Sequence, residues 1–173
     1  MTIAQIGKKQ PATTFVGMLL ECHQRIRTFS AMACRLAEAT DASAEEVREA
    51  AHAVRRYFNE ALPLHVADEE LTLRPRLFGR EEALDAALVR MSAEHVGHQS
   101  ALTSLLAHCE RLERVPTDLP VVHEQLGRTA TALEADLAAH LDHEEAVVLP
   151  AVERLLSADV QAAMVAELRA RRA

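Results

Sequence analysis

Two stretches of this sequence share one pattern: HVADEELTLRP at residues 65–75 and HLDHEEAVVLP at residues 140–150. Each has a histidine, three residues, two glutamates, four residues and a proline, at identical offsets. Residues four apart on an α-helix lie on the same face, one turn apart. Each stretch therefore predicts a helix that presents one imidazole and one carboxylate side by side.

The sequence around the two stretches predicts helices and nothing else. Apolar residues recur at three- and four-residue spacing, and Gly and Pro are few. The predicted helices run from about Pro11–Thr14 to Ala39, from a capping box at Ser43 and Glu46 through Leu71 with a kink at Pro63, from about Arg80–Glu82 to Arg114, from about Val121 to Leu149, and from about Ser157 onward. Pro75 with Gly79 and Pro150 are expected to close the second and fourth helices.

These helices predict an all-α fold, an up-down-up-down four-helix bundle with a short fifth C-terminal helix. We expect an N-terminal tail at residues 1–11, the bundle at 12–150 and the C-terminal helix at 151–173.

Composition limits the classes of function. The 173 residues suffice for one domain, with 49% hydrophobic and 26% charged residues. The net charge of −7 argues against nucleic acid and against an anionic membrane surface as partners. No apolar run is long enough to span a bilayer, and the N-terminus lacks the apolar core of a secretory signal. The three cysteines are widely spaced, which favours free thiols in a reducing compartment, so we expect a cytoplasmic protein.

The duplicated pattern supplies candidate metal ligands. One further histidine lies upstream of each copy, on the preceding helix, so four helices can bring together four imidazoles and two carboxylates. The candidates are His23, His65, Glu69, His95, His140 and Glu144. Burying two ionised carboxylates without compensation is costly, and a pair of metal ions would neutralise them. Spacing alone does not select the metal, and imidazoles and carboxylates that satisfy one another without metal remain an alternative.

With these residues the sequence resembles the hemerythrin-like proteins, the HHE cation-binding domain, over about residues 12–150. The resemblance implies a four-helix bundle that holds two non-haem iron ions, with a bridging oxo or hydroxo group. Among the six candidate ligands, the resemblance implies that the four histidines are terminal ligands and that Glu69 and Glu144 bridge the irons. One departure concerns the third helix, where oxygen carriers of the family have two histidines four residues apart. Here position 99 is Gln99, and the nearest second histidine is His98, which is a candidate either for a further ligand or for a group beside the site.

The resemblance implies that the iron pair binds or reacts with a small molecule: dioxygen, nitric oxide or peroxide. Sensing, storage and detoxification are the corresponding roles. The alternatives are an iron donor or iron–sulfur repair protein, a redox-regulatory module, and a di-iron oxidase or nitric oxide reductase. An oxidase needs an organic-substrate pocket, for which the sequence has no signature. Asp68 and His143 lie three residues after the motif histidines and are candidates for orienting them, with exposed positions as the alternative.

Overall fold

The computed structural model describes residues 12–173, so the expected N-terminal tail lies outside the described residues. The described chain is all-α, as predicted, and has no strand within residues 12–173. The helices are α1 (Phe15–Glu38), α2 (residues 44–77, with α-helical parts Ala44–Arg56, Leu62–Ala67 and Arg74–Leu77), α3 (Glu82–Gly97 and Gln99–Arg114), α4 (Leu119–His143 and Leu149–Leu155) and α5 (Ala158–Ala170). A short 3₁₀ turn at Pro116–Asp118 links α3 to α4.

Three π-helical turns interrupt α2 and α4, at Tyr57–Ala61, Asp68–Leu73 and Glu144–Val148. In each, the last residue before a proline donates its N–H to the carbonyl five residues back; these donors are Leu62, Arg74 and Leu149. Proline has no N–H, and its ring clashes with the carbonyl four residues back in a regular helix. The wider π turn relieves that conflict and lets the helix continue.

The predictions that Pro75 and Pro150 close α2 and α4 are therefore wrong, whereas the expected stop at Gly79 is confirmed, because Gly79 has φ +82° just past the end of α2. Helix α2 passes Pro75 and ends at Leu77, and α4 passes Pro150 and ends at Leu155. Both prolines follow a π turn that accommodates them, so neither terminates its helix.

The predicted helix starts at Ser43 and Ser157 are confirmed. The Ser43 hydroxyl accepts the backbone N–H of Glu46, and the Glu46 carboxylate accepts the backbone N–H of Ser43, which completes the capping box. The Ser157 hydroxyl accepts the N–H of Val160 at the start of α5. These side chains satisfy N–H groups that the first helical turn leaves without partners.

The apolar core consists of two clusters of buried side chains. One lies toward the α3–α4 link and includes Leu105, Leu126 and Leu133. The other includes Phe15 and Leu88, and α5 adds Met164 and Leu168 to it. Buried histidines and glutamates occupy the helix positions between the two clusters, so a polar layer separates two apolar cores.

In the described part of the chain, no helix has the length and apolar character needed to cross a bilayer.

Candidate metal centre

The polar layer brings all six candidate ligands together. Helix α1 supplies one histidine, α2 a histidine and a glutamate, α3 a histidine, and α4 a histidine and a glutamate: His23, His65, Glu69, His95, His140 and Glu144. Each of the six residues is at most 7% exposed. The sequence placed these residues on four helices, and the structure makes those helices converge on one layer.

The six side chains form two groups of four donors. The first group is His23, His65, Glu69 and Glu144, and the second is Glu69, His95, His140 and Glu144. Within each group the donor atoms lie within 4.8 Å of one another. Both glutamates belong to both groups, while each histidine belongs to one.

Each shared carboxylate directs one oxygen to each group. Glu69 Oε1 lies 3.1 Å from His65 Nε2, and Glu69 Oε2 lies 3.1 Å from His95 Nε2. Glu144 Oε2 lies 3.3 Å from His23 Nε2, and Glu144 Oε1 lies 3.1 Å from His140 Nε2. A carboxylate in this arrangement can bind one cation through each oxygen, which is how a carboxylate bridges two metal ions.

The donor atoms fit metal ions because they have no hydrogen-bond partners within the described chain. Both oxygens of Glu69 and of Glu144 are buried and unpartnered, as are both ring nitrogens of His65. The Nε2 atoms of His23 and His95 are likewise buried and have no hydrogen-bond partner. Buried polar atoms are normally hydrogen-bonded, and leaving one unpaired costs about 1–3 kcal/mol. Such a cluster of unpartnered carboxylate oxygens and imidazole nitrogens could hold metal ions.

Carboxylates outside the layer hold three of the histidines by their other ring nitrogen. His23 Nδ1 contacts Glu145 Oε1 and His95 Nδ1 contacts Glu70 Oε1, each at 2.8 Å. The third pair joins His140 Nδ1 to Glu94 Oε2, also at 2.8 Å. A carboxylate at Nδ1 fixes the imidazole orientation and directs the lone pair of Nε2 toward a metal.

These three outer carboxylates are anchored in turn. Arg27 donates to Glu145 at 2.8 Å, Arg90 donates to Glu94 at 2.7 Å, and Ser92 donates to Glu70 at 2.9 Å. The sequence pattern alone did not predict roles for these carboxylates. The second glutamate of each duplicated stretch was the available signal, because Glu70 and Glu145 occupy matching positions.

The electrostatics of the layer follow from burial and mutual contact. Burial opposes protonation of His23, but the carboxylates of Glu144 and Glu69 outweigh burial and raise the pKa of His23 to about 10. Burial opposes protonation of His140 as well, and Glu144 and Glu94 raise its pKa to about 9. Burial also opposes ionisation of Glu69, yet the surrounding imidazoles lower the pKa of its carboxyl. Without metal, imidazolium protons balance the carboxylates, and bound cations would replace those protons.

The two motif neighbours do not orient the histidines. Asp68 is fully buried, but its carboxylate accepts from Arg171 at 2.7 Å and from Arg172 at 2.5 Å, both beyond the end of α5. His143 is half-buried, and its Nε2 has no hydrogen-bond partner among the described residues. The expected orienting role is therefore wrong for Asp68, which instead joins α2 to the C-terminal residues.

His98 lies beside the layer and outside both donor groups. Its ring packs edge-on against the ring of His140, with centroids 5.3 Å apart. It occupies the junction between the two α-helical parts of α3, one turn after His95. Gln99 is outside both donor groups and donates to the backbone carbonyl of His95 at 3.3 Å.

Comparison with known proteins agrees with this geometry. The family model described as hemerythrin HHE cation binding domain matches residues 14–152. No curated protein and no solved structure matches the chain. The matched segment spans all of α1, α2 and α3 and α4 as far as residue 152, and it includes the six donors of the polar layer. The chain belongs to the hemerythrin HHE cation-binding domain family.

Proposed function

We propose that this protein holds two non-haem iron ions in the polar layer and uses them to bind or transform a small diatomic molecule, dioxygen or nitric oxide. In this proposal His23 and His65 bind one iron, His95 and His140 bind the other, and Glu69 and Glu144 bridge them. An oxo or hydroxo group between the irons completes the proposed centre. Peroxide derived from dioxygen is a further candidate reactant.

The observation that supports this proposal most directly is the division of each carboxylate between two donor groups. Four imidazoles and two carboxylates give each group two nitrogen and two oxygen donors. Imidazole suits iron, and carboxylates bridge two hard ions well. Four protein donors leave coordination positions free on a metal that accepts five or six ligands. An iron pair with free positions supplies electrons and a binding position to a diatomic molecule.

Two further parts of the proposal concern the order of the helices in the bundle and the location of the protein in the cell. We propose the up-down-up-down order for α1 to α4, supported by the packing of α1 along α4 and of α2 along α3. We also propose a cytoplasmic location. The three thiols of Cys22, Cys34 and Cys109 are free, which suits a reducing compartment.

Metal stoichiometry and an absorption spectrum test the proposal. The chain is loaded anaerobically with two equivalents of Fe(II), and spectra are recorded before oxygen, after oxygen and after purging. We expect two irons per chain and a charge-transfer band after oxygen. A band that disappears on purging indicates reversible binding, and a band that persists indicates irreversible oxidation of the centre. One iron or none per chain, with no band, would refute the di-iron proposal.

A pair of variants tests the assignment of residues. His65→Ala combined with His140→Ala removes one nitrogen donor from each group, and we expect most of the bound iron to be lost. His123→Ala is the matched control, because His123 lies on α4 outside both groups. If the double variant binds as much iron as the control, these histidines are not ligands.

A further inference from the structure

A cavity of about 310 Å³ that opens to solvent adjoins the proposed metal centre. Three of the six donors form its deep end: His65, His95 and His140, each at most 7% exposed. Its walls include Leu62, Leu102 and Leu137, which are buried. The side chains at its opening are exposed and polar. They are Asn59, Gln99 and Thr103.

The lining of this cavity contains no lysine, arginine, aspartate or glutamate. Its walls are aliphatic and aromatic, and its polar groups are imidazoles at the deep end and amides and a hydroxyl at the opening. A cationic ligand would lose its hydration without gaining an opposite charge, which is costly, and an anionic group would gain one only at the imidazoles of the deep end. The lining therefore favours a neutral molecule with an apolar body.

The volume is much larger than a diatomic molecule requires. An apolar cavity of about 150 Å³ binds benzene, and pockets for small organic ligands begin at about 300 Å³. This cavity is about twice the size of the benzene-binding one and reaches the lower limit of ordinary ligand pockets. It can hold a molecule of about two fused rings or a comparable branched chain.

We propose that this cavity is a binding site for a neutral, largely apolar organic molecule, whose apolar body lies against Leu62, Leu102 and Leu137 and whose one polar group lies at the opening. The Gln99 side chain uses its amide nitrogen on the His95 carbonyl, which leaves its carbonyl oxygen to accept a hydrogen bond from the ligand. The site would place an organic molecule directly beside the iron-binding imidazoles. The proposal rests on the proposed function for that setting, but the binding it describes is testable without iron.

Calorimetric titration with 2-naphthol tests the site, because this probe is neutral, has two fused rings and has one hydroxyl group. The chain is used loaded with zinc, which has no redox chemistry, and the zinc content is measured separately. We expect saturable binding with one probe per chain. 2-Naphthylmethylammonium has a similar body with a positive charge that the lining does not compensate, and we expect it to bind at least tenfold more weakly.

Two substitutions that fill the cavity locate the binding. Leu102→Trp and Leu106→Trp each place a large side chain in the lining, and we expect either to weaken 2-naphthol binding at least tenfold. Val121→Trp is the matched control, since Val121 is 72% exposed and outside the cavity. Circular dichroism identifies any variant that fails to fold, and Leu106, which is only half-buried, tolerates the larger side chain more readily.

The outcomes separate this inference from the proposed function. If the chain binds two metal ions but no 2-naphthol, the cavity is not an organic ligand site and the di-iron proposal stands. If both cavity variants bind 2-naphthol as tightly as the Val121→Trp control, the probe binds elsewhere and the inference is wrong. If 2-naphthol binds in the cavity of a chain that fails to hold iron, the binding site is supported and the di-iron proposal fails.

Discussion

Asp68 of α2 contacts Arg171 and Arg172, the two arginines that follow α5. Removing these contacts tests how much the C-terminal residues stabilise α2. Asp68 is fully buried and immediately precedes Glu69, and its two oxygens each accept from one arginine, Arg171 and Arg172. Arg171 also donates to Thr72 at 2.6 Å, in the same π turn. Replacing both arginines by alanine leaves a buried carboxylate without a counter-charge.

The magnitude follows from burial. Breaking a buried ion pair by removing one partner costs about 3–5 kcal/mol, because an uncompensated charge remains. Here the arginine side chains are 21% and 31% exposed, so water screens part of the interaction and the lower end applies. We expect the double variant Arg171→Ala, Arg172→Ala to lose about 3 kcal/mol of unfolding free energy. For a chain of this length that corresponds to a fall in Tm of roughly 6–12 °C.

Urea denaturation at fixed metal content measures this loss, since bound metal stabilises the native state by mass action. Arg169→Ala is the control, because Arg169 lies in the last turn of α5, two residues before Arg171, and is exposed, and we expect it to change stability by less than about 0.5 kcal/mol. In an Asp68→Asn background the same double substitution should cost clearly less, because no buried charge remains to be compensated. A double variant as stable as the Arg169→Ala control, or an equal cost in both backgrounds, would refute the electrostatic explanation.

Three further predictions concern the core, a cap and a thiol. Leu126→Ala empties a fully buried position and should cost about 2–5 kcal/mol in urea denaturation, whereas Val121→Ala at an exposed position should cost less than about 0.5 kcal/mol. Ser43→Ala removes the hydroxyl that caps α2 and should cost about 1 kcal/mol by the same measurement; no change would show that the capping box adds nothing. Burial raises the pKa of the Cys109 thiol to about 12, so this thiol stays protonated until the pH approaches that value. Iodoacetamide at pH 8 should therefore modify Cys109 only as fast as the chain unfolds, and modification at the rate of a free peptide thiol would contradict the burial argument.

The helices were predictable from the sequence because their signals are local. Apolar spacing, the capping box at Ser43 and the cap at Ser157 depend on residues within one or two turns. The ends of α2 and α4 were not predictable by the same rules, since a proline usually marks a helix end. All three π turns end directly before a proline, and a proline alone does not report whether the helix ends there or continues through such a turn.

The convergence of the six candidate donors was predictable for a similar reason. The offset between His65 and Glu69 fixes their relative direction on one helix. Its repetition at His140 and Glu144 indicated that both pairs contribute to one site. The repeated second glutamate marked Glu70 and Glu145, but the histidine partners of the outer carboxylates were not predictable, because each contact joins two different helices. Glu145 of α4 reaches His23 of α1, and no spacing along one helix reports such a pair. The cavity escaped prediction as well, since it forms between helices from residues with no shared motif.

The duplicated motif does not produce two equivalent halves. In the second donor group both histidines, His95 and His140, have a carboxylate at Nδ1. In the first group only His23 has one, while both ring nitrogens of His65 lack a hydrogen-bond partner. A carboxylate at Nδ1 restricts the ring and raises its basicity, so the second group is held in place more firmly than the first. His65 also lies at the deep end of the cavity, where a bound molecule would contact it. The cavity also reaches His95 and His140, so a ligand bound there would contact three of the six candidate donors, and of these three only His65 lacks a carboxylate that holds its ring in place.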